Sequence, residues 1–389
     1  MPGITASVPA GVQGLPQPSD NFSRRFRNRG PLILRQIIDP KVLNQWAQDP
    51  EHVAQALNNS VQEQKQKEEG FDAAVSLLSI TESETLREPL LPVMVAEDTK
   101  NFMDNPQFTK KIAMTAREIV TRVLVRPSSS ISCDAGSDIY ADNNSTKETS
   151  AQTAVTTTSS VCICPLCENN HALDSDSDLD PHDSFIRFYY RGHVPPSLYT
   201  ALQIPALLDS LSLPSDTTPF ASAPNKSLMR IWISLAGATT PLHYDRCHGI
   251  LMQLVGRKRF VVFSHEDTNN LYAYDSIAGP GHASKVRGLG HCFPFVSSSS
   301  DKAQELYQQQ QQQQQERKHL DENLSEVLER WPKIKYTDPW VIDLEPGDAL
   351  YTPPGFWHEV TSVDNSISIT VPWDMDASEL EHVPRHMAF

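Results

Sequence analysis

The chain has 389 residues, 39% of them hydrophobic and 21% charged, with a formal net charge of −15. That length supports a substantial core in one large domain or two ordinary ones, and the acidic balance excludes a protein that holds nucleic acid through a general basic field. Six cysteines are too few for a disulfide scaffold, no stretch has the apolar run of a membrane span, and the opening residues lack signal-peptide order, so an intracellular protein, cytoplasmic or nuclear, is expected.

Residues 1–20, rich in Pro, Gly and small side chains, read as a disordered leader. The basic cluster Arg24, Arg25, Arg27 and Arg29 is read as the polar flank of the apolar run Pro31–Ile38, which predicts a strand, rather than as a targeting signal. Amphipathic stretches follow at Val42–Leu57 and Thr109–Val125, so residues 21–126 read as an N-terminal α/β part with several helices. Residues 127–183 are dense in Ser, Thr, Asp and Asn, including the acidic run Asp174–Asp180, and cannot bury enough apolar surface to fold alone. They read as a disordered insertion, as do residues 297–318, which hold Ser297–Ser300 and Gln308–Gln315. Beyond the glutamines, Leu320, Leu324, Val327, Leu328 and Trp331 recur at helical spacing.

The rest of 184–389 reads as β structure. Met229–Leu235, Ile250–Val255, Arg259–Phe263, Trp340–Leu344, Ala349–Thr352, His358–Val363 and Ile367–Val371 are short runs rich in Val, Ile, Trp and Phe, separated by turn chemistry such as Glu345-Pro346-Gly347-Asp348. Many short strands with tight turns predict a mainly β fold of jelly-roll type with flanking helices.

Within that pattern His243-Tyr244-Asp245 stands out. Residues i and i+2 of an extended segment share a face, so His243 and Asp245 can reach one ion while Tyr244 points away. Two histidines and a carboxylate on one side of an iron(II) ion leave positions open for further ligands. A second histidine follows a Pro/Gly corner in Tyr351-Thr352-Pro353-Pro354-Gly355-Phe356-Trp357-His358.

The segment Gly237–Asp245, the turn Val255-Gly256-Arg257-Lys258-Arg259 and the run from Glu345 to His358 together resemble the signature of JmjC-type, cupin-like 2-oxoglutarate oxygenases, most of all the hydroxylase branch that includes the asparaginyl hydroxylase of hypoxia-inducible factor. The resemblance implies a double-stranded β-helix core, with Fe(II) as cofactor, 2-oxoglutarate as cosubstrate and O2 as oxidant. It assigns His243, Asp245 and His358 as metal ligands and Lys258 as the partner of the distal carboxylate of 2-oxoglutarate. A carboxylate taken out of water needs such a cation. Thr240 matches a hydroxyl directed at the same carboxylate, and either Tyr189 or Tyr190 falls where a tyrosine is usual. Arg259 alternates to the opposite face of a regular strand. Gly249 and Pro372 depart from the pattern, standing where some of these hydroxylases carry asparagine.

Hydroxylation of a protein or peptide side chain is the outcome the resemblance favours. Lysine demethylation, oxidation of a small molecule or modified tRNA base, and an inactive cupin-like binding protein are the competing readings. Cys162, Cys164, Cys167 and His171 have the ligand number of a structural zinc site, but crowded into a polar insertion they read as a loop thiol cluster. His248, His265, His282 and His291 read as surface or hydrogen-bonded histidines near the site.

Overall fold

The computed structural model describes residues 10–13, 27–69, 88–96, 109–125, 187–210, 228–275, 281–293, 320–381 and 387. In chain order the principal elements begin with β1 (Ala10–Gln13), β2 (Leu32–Arg35), α1 (Pro40–Gln48), α2 (Pro50–Glu69), β3 (Leu90–Ala96), β4 (Thr109–Thr115) and α3 (Ala116–Val120), which runs on into a π turn, Thr121–Val125. There follow β5 (Arg187–His193), α4 (Pro196–Ala201), α5 (Ile204–Ser210), β6 (Arg230–Ser234), β7 (Thr239–Tyr244), β8 (His248–Val255) and β9 (Lys258–Phe263). The chain continues with a helix over 320–330, α6, then β10 (Trp340–Leu344), β11 (Ala349–Thr352), β12 (Trp357–Ser362), β13 (Ser366–Trp373) and α7 (Ala377–Leu380). No described helix is long and apolar enough to cross a membrane.

From β6 onward the strands are shared between two sheets. The larger runs β1-β2-β11-β8-β13-β6-β5-β3-β4 and the smaller β10-β9-β12-β7, and every pair except β1–β2 is antiparallel. This is the predicted mainly β, jelly-roll core with flanking helices. Side-chain alternation gives each face its role. On β13, Ile367, Ile369 and Val371 enter the principal core, which holds Trp46, Val53 and Leu57 from α1 and α2, whereas Ser366, Ser368 and Thr370 turn toward the smaller sheet. A second apolar cluster, Ile33, Leu251, Phe260, Val262, Ile342, Leu344, Leu350, Phe356 and Val360, fills one side of the space between the sheets. A third, including Tyr244, Phe263, Trp357 and Val327, lies where α6 packs on the smaller sheet's outer face.

The turn from β8 to β9 depends on Gly256, whose φ is +65° and where a Cβ would stand 2.0 Å from the backbone oxygen of Asn365. The N-terminal part and α7 meet through Arg27, whose Nε lies 2.6 Å from Glu379 Oε1 and whose Nη2 lies 3.1 Å from Asp376 Oδ2. Arg27 thus belongs to a half-buried ion network rather than to a free basic tail.

Two local expectations change. Thr109–Thr115 is a strand paired along its length with β3, and the helix starts only at Ala116, where Thr115 and Glu118 form a reciprocal capping box. The helical period there was outweighed by the ladder that β3 offers. Within the expected leader, Ala10–Gln13 pairs in parallel with β2. Such pairing uses backbone groups that β2 would otherwise leave open at the sheet edge, so it does not require an apolar sequence. The rest of the leader, the 127–183 and 297–318 insertions and the Cys162, Cys164, Cys167 and His171 group lie outside the described residues.

Candidate metal centre

β7 and β12 are antiparallel neighbours, and their register sets His243 directly opposite His358. The ring centroids are 4.3 Å apart, and Asp245, one residue beyond β7, brings Oδ2 to 3.9 Å from His358 Nε2. The ligand atoms of all three residues lie within 4.8 Å of one another, and this is the one such His/Cys/Asp/Glu group found among the described residues. The corner preceding β12 is pinned to the site because the Gly355 amide donates to the Asp245 carbonyl oxygen at 2.8 Å, with Gly355 at φ +77°.

The backbone also orients the imidazoles. His243 Nδ1 lies 2.7 Å from the Pro241 carbonyl oxygen and His358 Nδ1 lies 3.1 Å from that of Phe356. Each Nδ1–H donates to its carbonyl, so each Nε2 presents its lone pair to the shared point, the tautomer a metal ligand requires. His358 is buried, and burial, with His243 alongside, pushes its pKa down to about 4, which keeps the ring neutral. Asp245 is 60% exposed and marks the open side. Two imidazoles and one carboxylate with open space beyond fit a divalent iron-type ion in donor chemistry and in number.

Thr240 reaches the same face by an irregularity. Between His358 and Val360 β12 advances two residues, while from His243 back to Thr240 β7 spends three, so β7 carries a bulge at Pro241-Leu242. Proline suits this position because it has no ladder N–H to lose. Without the bulge, Thr240 and His243 would face opposite ways.

Further into the space between the sheets lies Lys258, 1% exposed. Its Nζ donates to Ser368 Oγ at 2.8 Å and sits 5.8 Å from the centroid of the Tyr189 ring. Burial pushes this lysine down to about 7, and among the described residues no carboxylate pairs with it. The Tyr189 hydroxyl is 3.3 Å from Thr240 Oγ1, and burial raises it to about 12. Tyr190 points the other way into the principal core, and Arg259 is held outside by a bidentate pair with Asp343 at 2.7 and 2.8 Å. Gly249 and Pro372 face each other across β8 and β13.

Of the other histidines, His248 is buried between Tyr351 and Glu379, His265 edges Phe356, and His282 edges Tyr244 on the outer side of β7. None joins the metal group. Ser368, Trp232 and the Ser234–Ser362 pair, at 2.8 Å, face the space between the sheets and were passed over in the sequence. For Ser368 a signal was present in Ser366-Ile367-Ser368-Ile369-Thr370, a strict alternation whose polar half faces the smaller sheet here.

A family model described as a cupin-like domain matches residues 18–379. The chain belongs to the cupin-like domain family. Among curated relatives of this cupin-like chain, "Jumonji C domain-containing protein 5" of Drosophila melanogaster is 30% identical over 175 residues, covering 44% of this chain and 34% of that protein. "Lysine-specific demethylase JMJ30" of Arabidopsis thaliana is 27% identical over 175 residues, with coverages of 45% and 32%, and "Lysine-specific demethylase 8" of Xenopus tropicalis is 25% identical over 171 residues, with 44% and 30%. The matched region thus spans about a third of the length of each of these relatives.

Proposed function

We propose that this cupin-like protein is an Fe(II)- and 2-oxoglutarate-dependent oxygenase that hydroxylates a protein side chain. One observation carries the reading: a two-histidine, one-carboxylate donor set borders the same space between the two sheets as a buried lysine that has no carboxylate partner among the described residues. His243, Asp245 and His358 would hold the metal, which when bound supplies the redox chemistry and open positions for cosubstrate and oxygen.

The chain's own residues do the rest. Lys258 neutralises the distal carboxylate of 2-oxoglutarate, a role that also accounts for a cation kept in so dry a place. Thr240 and Tyr189, already within hydrogen-bond reach of each other, orient that carboxylate. Phe260 and Val262, in the apolar cluster beside His358, exclude water from the reacting centre. Kinship with the asparaginyl-hydroxylase branch is part of the proposal, although Gly249 and Pro372 offer no amide where some of that branch carry one. The names of two relatives support a protein substrate and favour lysine demethylation as the second reading.

The test is turnover without a prime substrate. Purified protein with Fe(II), ascorbate and 2-oxoglutarate is expected to release succinate, and His243→Ala to abolish it. Neither succinate nor metal uptake under any condition would leave a binding protein instead. Formaldehyde from methylated lysine peptides would establish the second reading, whereas one added oxygen in a partner trapped by an inactive variant establishes the first.

A further inference from the structure

The register of β5 on β6 pairs Tyr189 with Ser234, Arg191 with Trp232 and His193 with Arg230. Directly paired residues share a face, and Tyr189 identifies which one, because its hydroxyl reaches Thr240 of the smaller sheet. Arg191, Trp232, His193 and Arg230 therefore belong to the wall of the larger sheet that looks toward the smaller one, while Tyr190, Ile231 and Ile233 fill the core behind it. Ser234 touches Ser362 of β12. The rows then climb from Ser234 through Trp232 to Arg230 as β12 climbs from Ser362 through Val360 to His358, which brings the arginine rows toward the level of the metal ligands.

This wall is cationic in an acidic protein. The Arg191 guanidinium is exposed, stacked 5.3 Å from the centroid of Trp232, and has no carboxylate partner among the described residues. Trp232 is fixed in turn by donating Nε1–H to Thr370 Oγ1 at 3.0 Å. Arg230 lies beside His193, with Nη1 3.5 Å from Nδ1, and burial together with the like charge of Arg191 lowers its pKa. An anion set against the exposed edge of the Arg191 guanidinium gains charge-assisted hydrogen bonds.

We propose that the β5–β6 wall is a docking ledge for an anionic group of a peptide substrate, a carboxylate or a phosphate, with Arg191 as the specificity-determining residue. The ledge deepens the oxygenase reading by naming the substrate class: an acidic side chain close to the oxidised residue. It disfavours a lysine ammonium, which would approach the site past like charge. A planar guanidinium held flat on an indole presents its N–H edge to such an anion with little conformational freedom left to lose.

Binding of defined probes to the full chain loaded with Mn(II) and 2-oxoglutarate tests this without turnover. Fluorescein-labelled Gly/Ser peptides bearing glutamates, phosphoserines or lysines are compared by anisotropy. The glutamate probe is expected to bind about tenfold or more tightly than the lysine probe, and Arg191→Glu to weaken it by at least about the same factor. Arg191→Gln, which removes the charge and the guanidinium fork without adding a negative charge, should also weaken binding and serves if Arg191→Glu does not fold. A phosphoserine probe that alone binds in an Arg191-dependent manner identifies phosphate as the anion. No binding of either anionic probe, tighter binding of the lysine probe, or an affinity unchanged by both substitutions overturns the proposal. Because the readout is binding, acid-selective affinity would support the ledge even if succinate formation failed and the oxygenase reading fell.

Discussion

Replacing Lys258 with methionine should stabilise the ligand-free protein while destroying its affinity for 2-oxoglutarate. The lysine is buried with only a serine hydroxyl as hydrogen-bond partner, and its pKa falls from 10.5 to about 7. That shift corresponds to roughly 4 kcal/mol against the charged form at pH 7. Methionine removes this penalty but leaves Ser368 unpaired, at about 1–2 kcal/mol, so a net gain of about 2 kcal/mol is expected. In melting temperature this is about 2–3 °C for a chain of 389 residues. The sign follows from linkage. A group whose pKa is lower in the folded state destabilises the fold fully below its folded value, and the penalty disappears as pH rises toward the unfolded value. The gap between variant and wild type should therefore narrow between pH 7 and pH 10.5. Conversely, loss of a buried charge pair with the cosubstrate costs about 3 kcal/mol, or about 100-fold in 2-oxoglutarate affinity. Melting curves with and without 2-oxoglutarate measure both effects. A Lys258→Met protein that melts below wild type when ligand-free, or that keeps its 2-oxoglutarate-induced shift, refutes the assignment.

Calorimetry at pH 8 in buffers of different ionisation enthalpy should show proton uptake on 2-oxoglutarate binding, because the arriving carboxylate restores the charge on a lysine depressed to about 7. Tyr189→Phe should weaken 2-oxoglutarate binding several-fold by removing about 1 kcal/mol of hydrogen bonding, whereas Tyr190→Phe, in the principal core, should leave the titration unchanged. Gly256→Ala should cost about 3 kcal/mol in denaturant unfolding, since it combines an unfavourable φ with a contact against the Asn365 carbonyl. Glu379→Gln should cost about 3 kcal/mol by leaving Arg27 half-buried without its main partner. In the wild type the Glu379 carboxyl is held well below its usual range despite the opposing effect of burial, by hydrogen bonds from His248 and Arg27, so its contribution is present above the unfolded carboxylate pKa and is lost as pH falls below it. An acid melt in which Glu379→Gln and wild type converge checks this.

Much of the β core was legible residue by residue. Runs such as Trp340–Leu344 and Ala349–Thr352 carry β-branched and aromatic residues between Pro/Gly turns, a local signal that tertiary context reinforced. Thr109–Thr115 went the other way, because its strand exists only where β3 offers a partner ladder. The alternation around Ser368 marked a polar strand face, but that this face and Arg191 look toward the smaller sheet was not legible, since nothing local distinguishes a polar face turned to solvent from one turned inward.

The sequence by itself determined the chemistry available: a histidine and an aspartate at strand spacing, a lysine at the head of a strand and a second histidine, His358, after a Pro/Gly corner. Those are properties of residue type and local period. Only the tertiary structure decided how they meet. The β7–β12 register places His243 against His358, the bulge at Pro241-Leu242 rotates Thr240 onto the same face, and the packing of β5 turns Tyr189 inward and Tyr190 into the core. Register and bulges are set by which strands become neighbours, and residues more than a hundred positions apart along the chain settle that only when the two sheets close on each other.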